Sequence, residues 1–342
     1  MILNDNAIVT WFHADEHEES GIYAQTLGDS SRIAHANVYF DCAITFFASL
    51  EILQRSEFRY FVLNTRGFDL LSKNRLNILK RLNVNIVIIE NSHIPPEKFG
   101  KKWKNQFYVL DIVSYFAKMK KNLFIFDSDV VCVSSNELNF DSYEVQGIQI
   151  NRNSLSDING LSPDSYFEIF RDFFGEEMQG PPVYYGGEYY GIRSDKLSQF
   201  SALLEKAYDK NIKRLESDQI FATEEAHLVS IVFQHFKVDE VSNTLLDRIW
   251  TQPWTFRYIP DYWRKLIFLH LPAEKKTGIR KVAQYLEKIL IEGKDLPGST
   301  DFLTYSLRNF GIPSYGLTKL FADFWSLRKG VFRHIKNRVI GF

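Results

Sequence analysis

The chain has 342 residues, 45% of them hydrophobic and 15% aromatic, which is enough to bury the core of one large α/β domain or two small domains. A formal net charge of −1 argues against nucleic acid as a partner, and two cysteines, Cys42 and Cys132, exclude a disulfide framework. The start lacks the features of a signal peptide and no run approaches the ~18 apolar residues of a spanning helix, so a cytoplasmic protein is expected.

Strand-type and helix-type patterns alternate along the first half of the chain. Short apolar runs predict buried strands at 7–12, 58–64, 84–90 and 122–126. Apolar residues spaced by three and four predict helices at 40–55, 68–82 and 103–119. The alternation predicts a βαβαβαβ unit with a mostly parallel sheet, because parallel neighbours need crossover connections. The polar stretch 13–36 is long for a βα loop, which favours a functional role for it.

The strand predicted at 122–126 runs directly into Asp127-Ser128-Asp129. Ligands of parallel sheets bind beyond the carboxyl ends of the strands, and residues two apart in an extended segment point to the same side. Two carboxylates this close repel each other unless a cation lies between them, and Mg²⁺ or Mn²⁺ takes such oxygen ligands while leaving positions for a diphosphate. The alternative is that the two aspartates begin a solvated turn.

Two segments of the second half are also candidates for a site. In "GPPVYYGGEYYGI" (180–192), Gly186 and Gly187 stand among four tyrosines, so a backbone can approach a ligand that aromatic rings enclose. A glycine-kinked core strand is the alternative. Glu224 and Glu225 open an apolar-periodic helix, where acids of the first turn also serve as partners of the helix dipole.

These segments, taken in order, resemble family 6 of the retaining glycosyltransferases, the group of the histo-blood-group A and B transferases and the α1,3-galactosyltransferases. The matching stretches are Asp127-Ser128-Asp129, Tyr184-Tyr185-Gly186-Gly187 and Glu225-Ala226-His227-Leu228, within about residues 120–235. The resemblance implies a GT-A fold and a divalent-metal enzyme that transfers Gal or GalNAc from a UDP-sugar to a glycan with retention of configuration.

The resemblance also assigns roles to individual residues. Asp127 and Asp129 would hold Mn²⁺ or Mg²⁺, and Glu225 would be the nucleophile or the stabiliser of an oxocarbenium ion beneath the anomeric carbon. His227 would line the acceptor site. The further substrate contacts that it implies are Tyr185, Gly186, Gly187 and Glu188. The end of the first predicted strand offers Trp11 or Phe12 for stacking on uracil, with burial in the core as the alternative.

The chain departs from the family at three points. Ala226 replaces a serine, and Glu188 stands where a small residue helps to choose between Gal and GalNAc, so the donor sugar stays open. The helix before the metal strand offers Lys104 and Asp111 but none of the arginines with which the family grips the donor. We therefore expect that other residues bind the donor.

The stretch "KLIFLHLPAEKKTG" is similar to the late His-x-x-Gly-x-x-Lys of glycosyltransferase family 8, found in bacterial lipooligosaccharide galactosyltransferases. That resemblance implies His270 as a third metal ligand and Lys276 as a diphosphate-binding lysine, with Ala273 in place of the glycine. A structural role for His270 is the alternative.

Two other classes of protein stay open. A haloacid-dehalogenase-type phosphatase also has a buried strand followed by Asp-x-Asp, and Asp127 would be its nucleophile, but the later Gly-Asp-x-x-x-Asp of that family is missing. A non-catalytic module that binds a glycan or a nucleotide is the other possibility.

Residues 1–295 are predicted to form the GT-A catalytic domain and 296–342 a helical basic extension. Residues 316–342 hold six Lys/Arg and one Asp, a charge of +5, which leaves −6 for the rest. As a helix this tail separates an apolar face that includes Leu317 from a polar face that includes Lys319, as is typical of segments on anionic membranes. Docking on the catalytic domain is the alternative. Membrane contact would place the enzyme at the inner face of the cytoplasmic membrane, beside a lipid-linked oligosaccharide, lipopolysaccharide or capsule precursor.

Overall fold

The computed structural model describes residues 5–15, 22–23, 28–29, 33–100, 104–150, 157, 159–252, 257–314, 316–317 and 319–321. The strands of this described part are β1 (Asn6–Phe12), β2 (Ile22–Tyr23), β3 (Gly28–Asp29), β4 (Phe58–Leu63), β5 (Val84–Ile88), β6 (Asn122–Phe126), β7 (Val130–Cys132), β8 (Val145–Gln149), β9 (Tyr185–Ile192), β10 (Val238–Glu240), β11 (Leu246–Arg248), β12 (Trp250–Thr251), β13 (Arg257–Tyr258) and β14 (Phe268–His270). The α-helices are α1 (Ile33–Ile52), α2 (Thr65–Asp69), α3 (Lys73–Arg81), α4 (Tyr108–Phe116), α5 (Pro163–Phe174), α6 (Leu197–Glu216), α7 (Glu225–Phe233), α8 (Gly278–Ile291) and α9 (Ser299–Phe310).

A seven-stranded sheet in the order β10-β8-β9-β6-β1-β4-β5 forms the centre of the molecule. Its pairs β1–β4, β1–β6, β4–β5 and β8–β10 are parallel, whereas β9 runs antiparallel to both β6 and β8. The predicted α/β class with a mostly parallel sheet is therefore confirmed.

Helices cover both faces of this sheet because successive side chains of a strand point to opposite sides. Ile8 of β1 belongs to a core shared with α1, α8 and α9, and its neighbours Ala7 and Val9 belong to a second core shared with α4 to α7. The expectation that no run approaches the length of a spanning helix was wrong for α1, which is long and apolar enough by length and composition alone. However, 83% of its most apolar window is buried inside the protein. It is the central helix of the first core.

The predicted strands of the first half are confirmed, whereas the predicted helices differ at their ends. Helix α1 begins at Ile33, inside the stretch predicted as a loop. The single helix predicted at 68–82 is two helices, because the side chain of Ser72 accepts a hydrogen bond from the backbone N–H of Arg75 and starts a new helix there. The helix predicted at 103–119 opens with a 3₁₀ turn at Lys104–Phe107.

A small sheet in the order β11-β14-β7 lies beside the end of β6. In its register Val130 is opposite His270, and His270 is opposite Arg248. The pairing brings residues from three distant parts of the chain to the point where the Asp127-Ser128-Asp129 segment leaves β6.

The start of the C-terminal tail packs on the domain with an orientation that the sequence did not predict. Lys319 was predicted on the polar face, but it is 4% exposed and its Nζ forms an ion pair with Glu274 at 2.8 Å. Leu317 and Phe321 are 75% and 68% exposed. The prediction for Lys319 was therefore wrong, and residues 322–342 lie outside the described part of the chain.

Candidate functional site

Strand pairing holds the Asp127-Ser128-Asp129 segment on both sides. The backbone N–H of Asp127 donates to the carbonyl of Glu188 on β9 at 2.9 Å. The carbonyl of Asp129 accepts from the N–H of Leu271, the residue after β14, at 3.0 Å. Because Leu271 follows His270 directly, the second bond places the imidazole of His270 against the two carboxylates.

Asp127, Asp129 and His270 form a cluster whose candidate ligand atoms all lie within 4.8 Å of one another. The Nε2 of His270 is 3.7 Å from Oδ2 of Asp127 and 3.3 Å from Oδ2 of Asp129. Asp129 is fully buried, whereas the side chain of Asp127 is 32% exposed and faces the cavity described below. The cluster can bind a metal ion, as the sequence predicted for all three residues.

The donor set suits a divalent cation that accepts both oxygen and imidazole ligands, such as Mn²⁺. Asp129 forms ion pairs with His270 and Lys275, but its two carboxylate oxygens and both ring nitrogens of His270 are buried and make no hydrogen bond among the described residues. Buried polar atoms in this state are costly unless a ligand or an ion satisfies them. The residues present therefore fit a metal ion.

Lys275 also belongs to this cluster. Its Nζ lies 3.2 Å from Oδ1 of Asp129 and 3.8 Å from Oδ2 of Asp127. The spacing of the family 8 motif predicted Lys276 at this place, but Lys276 is exposed and Lys275 is buried. The 3₁₀ turn at Pro272–Glu274 sets this register.

The charges of the cluster shift each other's pKa. Burial raises the pKa of Asp127, but Lys275 and His270 outweigh this effect and hold it well below its ordinary value. Burial lowers the pKa of Lys275 and of His270, but the two carboxylates outweigh it, raising that of Lys275 well above its ordinary value and that of His270 to about 9. The cations thus favour the ionised form of Asp127, which is the form that binds a metal ion.

The cluster opens onto a cavity of about 260 Å³ at the carboxyl ends of β1 and β6. Seven residues predicted from the sequence line it, namely Trp11, Phe12, Asp127, Gly187, Glu188, Glu225 and His270. Lys275, Arg248, Glu224, Tyr184 and Asn159 also line it and were not among the predicted site residues. Two of the three candidate metal ligands, Asp127 and His270, therefore line the same cavity as the candidate nucleophile.

Glu225 is the first residue of α7 and is 2% exposed. Its Oε1 accepts a hydrogen bond from the hydroxyl of Tyr190 at 3.3 Å, and its buried Oε2 has no partner among the described residues. A Cβ atom at Gly187 would lie 2.5 Å from Oε1 of Glu225, so any other residue at this position would require the carboxyl group to shift. Burial, followed by the charge of Glu224, raises the pKa of Glu225 to about 8.

The neighbouring Glu224 has different surroundings. One of its oxygens, Oε1, accepts hydrogen bonds from the hydroxyl of Tyr184 and from the side-chain amide of Asn159 at 2.6 Å. Burial is the main cause of the raised pKa of Tyr184, and the charge of Glu224 raises it further. Glu224 is therefore fixed by donors, whereas Glu225 has a carboxyl oxygen left for a ligand.

Three predicted substrate contacts lie outside the lining of this cavity. Tyr185 packs on Phe233 with ring centroids 5.2 Å apart. His227 is fully buried between the rings of Tyr166 and Tyr184. Gly186 does not line the cavity either. Their contact with substrate stays a prediction.

Glu188 and Arg248 form a bidentate ion pair at the wall of the cavity. Nε and Nη2 of Arg248 donate to the two carboxylate oxygens of Glu188 at 2.5 and 2.8 Å. Burial raises the pKa of Glu188, but Arg248 outweighs it and lowers that pKa below its ordinary value. No sequence pattern predicts this pair, because Arg248 reaches the wall of the cavity only through the strand register of the small sheet.

The end of β1 separates this cavity from a second one. Trp11 is partly buried against Tyr108, and Phe12 is buried and stacked on Tyr39. Of the two predicted stacking rings, Trp11 thus has the more accessible surface. The next residues of the chain, from His13 to Asp15, line the second cavity, which has a volume of about 280 Å³ and a mainly polar wall that includes Lys104.

No protein-family model matches the chain, and no curated protein matches it.

The raised pKa of Glu225 predicts a pH-dependent stability. Between pH 4.5 and about 8 the folded carboxyl keeps a proton that the unfolded chain has released, so the free energy of unfolding must fall as the pH rises through this range. The fall should be on the order of 3–5 kcal/mol and should be absent in Glu225→Gln. Urea unfolding of both proteins at several pH values, without metal, measures it. Glu137→Gln, at an exposed position, serves as the control. If the free energy of unfolding of the wild type changed with pH in parallel with that of Glu225→Gln, the effect of burial on Glu225 would be contradicted.

Proposed function

We propose that the protein is a metal-dependent retaining glycosyltransferase that transfers a hexose, Gal or GalNAc, from a UDP-sugar to a glycan or lipid-linked oligosaccharide. The observation that carries this proposal is the shared cavity, which is lined by Asp127 and His270 of the metal cluster and by the buried Glu225. Metal ligands near a leaving diphosphate and a carboxylate near the anomeric carbon are the two elements that retaining transfer needs.

The donor diphosphate would bind at the metal cluster. A divalent cation held by Asp127, Asp129 and His270 would neutralise the charge of the departing UDP. Lys275 and Arg248, which pair with the two aspartates and with Glu188, also line the cavity and could contact the diphosphate in place of the arginines that the helix before β6 lacks. The nucleoside would extend along the end of β1 past Trp11 towards the polar second cavity.

Glu225 would act on the sugar. During transfer the bond between the anomeric carbon and the UDP oxygen breaks, and positive charge develops on that carbon. The carboxylate of Glu225 either forms a bond to the carbon before the acceptor hydroxyl replaces it or stabilises the charge while the acceptor attacks from the side of UDP. The approach of positive charge favours the ionised form of this acid, whose pKa is raised to about 8 without it.

The position of His270 favours one alternative within the same class. A third metal ligand from a late strand is what the resemblance to family 8 implies, and His270 lies against both aspartates. A galactosyl- or glucosyltransferase of lipopolysaccharide or capsule synthesis is therefore the second candidate. It shares the metal cluster with the first and differs in donor and acceptor.

Incubation with a panel of nucleotide sugars, with Mn²⁺ or with EDTA, tests the proposal. Mass spectrometry should detect metal-dependent release of UDP from one or a few UDP-hexoses. Release of phosphate from simple phosphoesters would instead support the phosphatase, with Asp127 as nucleophile. Binding of UDP and Mn²⁺ without turnover of any donor would support a binding module.

We also propose that residues 316–342 contact an anionic membrane. Leu317 and Phe321 are exposed, so the domain leaves these two apolar side chains of the tail uncovered. Five of the six basic residues of the tail follow Phe321, and each contributes ~1 kcal/mol near anionic lipid.

Co-sedimentation with vesicles tests this contact. The full chain should pellet with vesicles that contain anionic lipid and less so at high salt, whereas a chain ending at Phe321 should stay in the supernatant. This truncation keeps Lys319 and its ion pair with Glu274. Neutral vesicles serve as the control. Equal pelleting of both proteins would contradict the proposal.

A further inference from the structure

The turn that carries Lys275 is fixed by one buried carboxylate. Glu274 is 1% exposed and directly precedes Lys275. Its oxygens accept hydrogen bonds from the hydroxyls of Thr251 and Thr277 and from the backbone N–H of Gly278, at 2.8 Å from Thr277 and 3.0 Å from Gly278. This single side chain thus joins the turn to β12 and to the start of α8.

The charge of Glu274 is compensated by Lys319 of the C-terminal tail (316–342). The Nζ of Lys319 lies 2.8 and 2.9 Å from the two oxygens of Glu274, and Lys319 is itself 4% exposed. A buried carboxylate that loses its cationic partner is strongly destabilised, because neither water nor another charge replaces that partner. The turn therefore depends on a residue 45 positions further along the chain.

We propose that Lys319 is a positioning residue of the metal cluster, which makes the start of the C-terminal tail (316–342) a part of the donor site. Through Glu274 it holds the turn at Pro272–Glu274 in the conformation that brings Lys275 to Asp127 and Asp129. The turn begins at Leu271, whose N–H bonds to Asp129, so a shift of the turn moves both the lysine and the backbone that supports the cluster. The role in donor binding rests on the proposed function, whereas the support of the turn does not.

Calorimetric titration of UDP in the presence of Mn²⁺ tests the role in donor binding. Lys319→Met should weaken the affinity about tenfold or more, since displacement of a binding group by ~1 Å has effects of this size, and Lys319→Arg should restore most of it. Arg214→Met is the matched control, because it removes a buried cation from Glu168 and Asp172 on α5. It should lower the melting temperature without changing the affinity for UDP.

The double variant Lys319→Met with Glu274→Gln shows whether weaker binding results only from misfolding. It removes both charges of the buried ion pair, so neither is left without its partner. It should fold and still bind UDP more weakly than the wild type. Wild-type affinity in this variant or in Lys319→Met would overturn the positioning role. A wild type that binds no UDP with Mn²⁺ would contradict the proposed function and the role in donor binding together.

Hydrogen exchange of the ligand-free protein tests the support of the turn without any substrate. The amide of Leu271 should exchange faster in Lys319→Met than in the wild type, while the Arg214→Met control leaves it protected. Equal exchange in the wild type and Lys319→Met would overturn the inference even if the protein proved not to be a transferase.

Discussion

Glu225→Gln is expected to reduce sugar transfer by about 10³-fold or more, while the affinity for UDP with Mn²⁺ stays within about threefold of the wild type. Glutamine keeps the size of the side chain and its contact with Tyr190, but it cannot carry the negative charge that an anomeric centre with developing positive charge requires. The loss should therefore appear in the rate of the bound complex. Steady-state kinetics with the donor identified from the panel, together with calorimetry of UDP, measures the two quantities.

Glu224→Gln is the matched control for this prediction, because Glu224 lines the same cavity one residue earlier. Its oxygen is fixed by Tyr184 and Asn159, so its substitution should disturb the cavity wall and reduce transfer less than Glu225→Gln does. Equal losses would show that the two carboxylates have been assigned in the wrong order. If the turnover of Glu225→Gln were close to that of the wild type, Glu225 would have no catalytic role and α7 would be an ordinary helix of the core.

Asp127→Asn is expected to weaken metal-dependent UDP binding by about 100-fold or more, because it removes a charged ligand from the cluster. Asp127 is the better of the two aspartates for this test. Its side chain is 32% exposed, so the fold should tolerate the change. Calorimetry of UDP with and without Mn²⁺ measures the effect, and unfolding experiments show whether the protein is intact.

Asp129→Asn should have the same effect on binding and an additional effect on stability. Asp129 is fully buried between His270 and Lys275, so the change leaves two buried cations with less compensation, at a cost of about 3–5 kcal/mol. Because Asp129 is buried and Asp127 is partly exposed, only the Asp129 variant should lose this stability. Wild-type affinity for UDP and Mn²⁺ in both variants would contradict the metal site.

The sequence predicted the sheet because its strands are short apolar runs with a clear boundary at each end. It predicted the helices less well. Whether 68–82 is one helix or two depends on the cap at Ser72, and the apolar spacing alone does not show that cap. The start of α1 at Ile33 lies in a polar stretch, and it becomes helical as part of a helix that the core buries.

The candidate site likewise contains some residues that neighbouring sequence predicts and others that depend on contacts between distant parts of the chain. Asp127 and Asp129 were predicted from the strand that precedes them, and Glu225 from a short motif of the family resemblance, so each prediction used only a few neighbouring residues. Lys275 and Arg248 could not, because their places depend on the pairing of β7, β14 and β11, which are far apart in the chain. A six-residue motif interval pointed to Lys276, and a 3₁₀ turn placed Lys275 at the cluster instead.

The most direct test of retaining sugar transfer is proton NMR of the reaction with the UDP-hexose that the panel identifies. With Mn²⁺, UDP should be released and the first sugar product should have the anomeric configuration of the donor, and EDTA should stop the reaction. A product of inverted configuration would contradict the role of Glu225. An absence of UDP release from every UDP-hexose, with Mn²⁺ present, would contradict the proposed function as a whole.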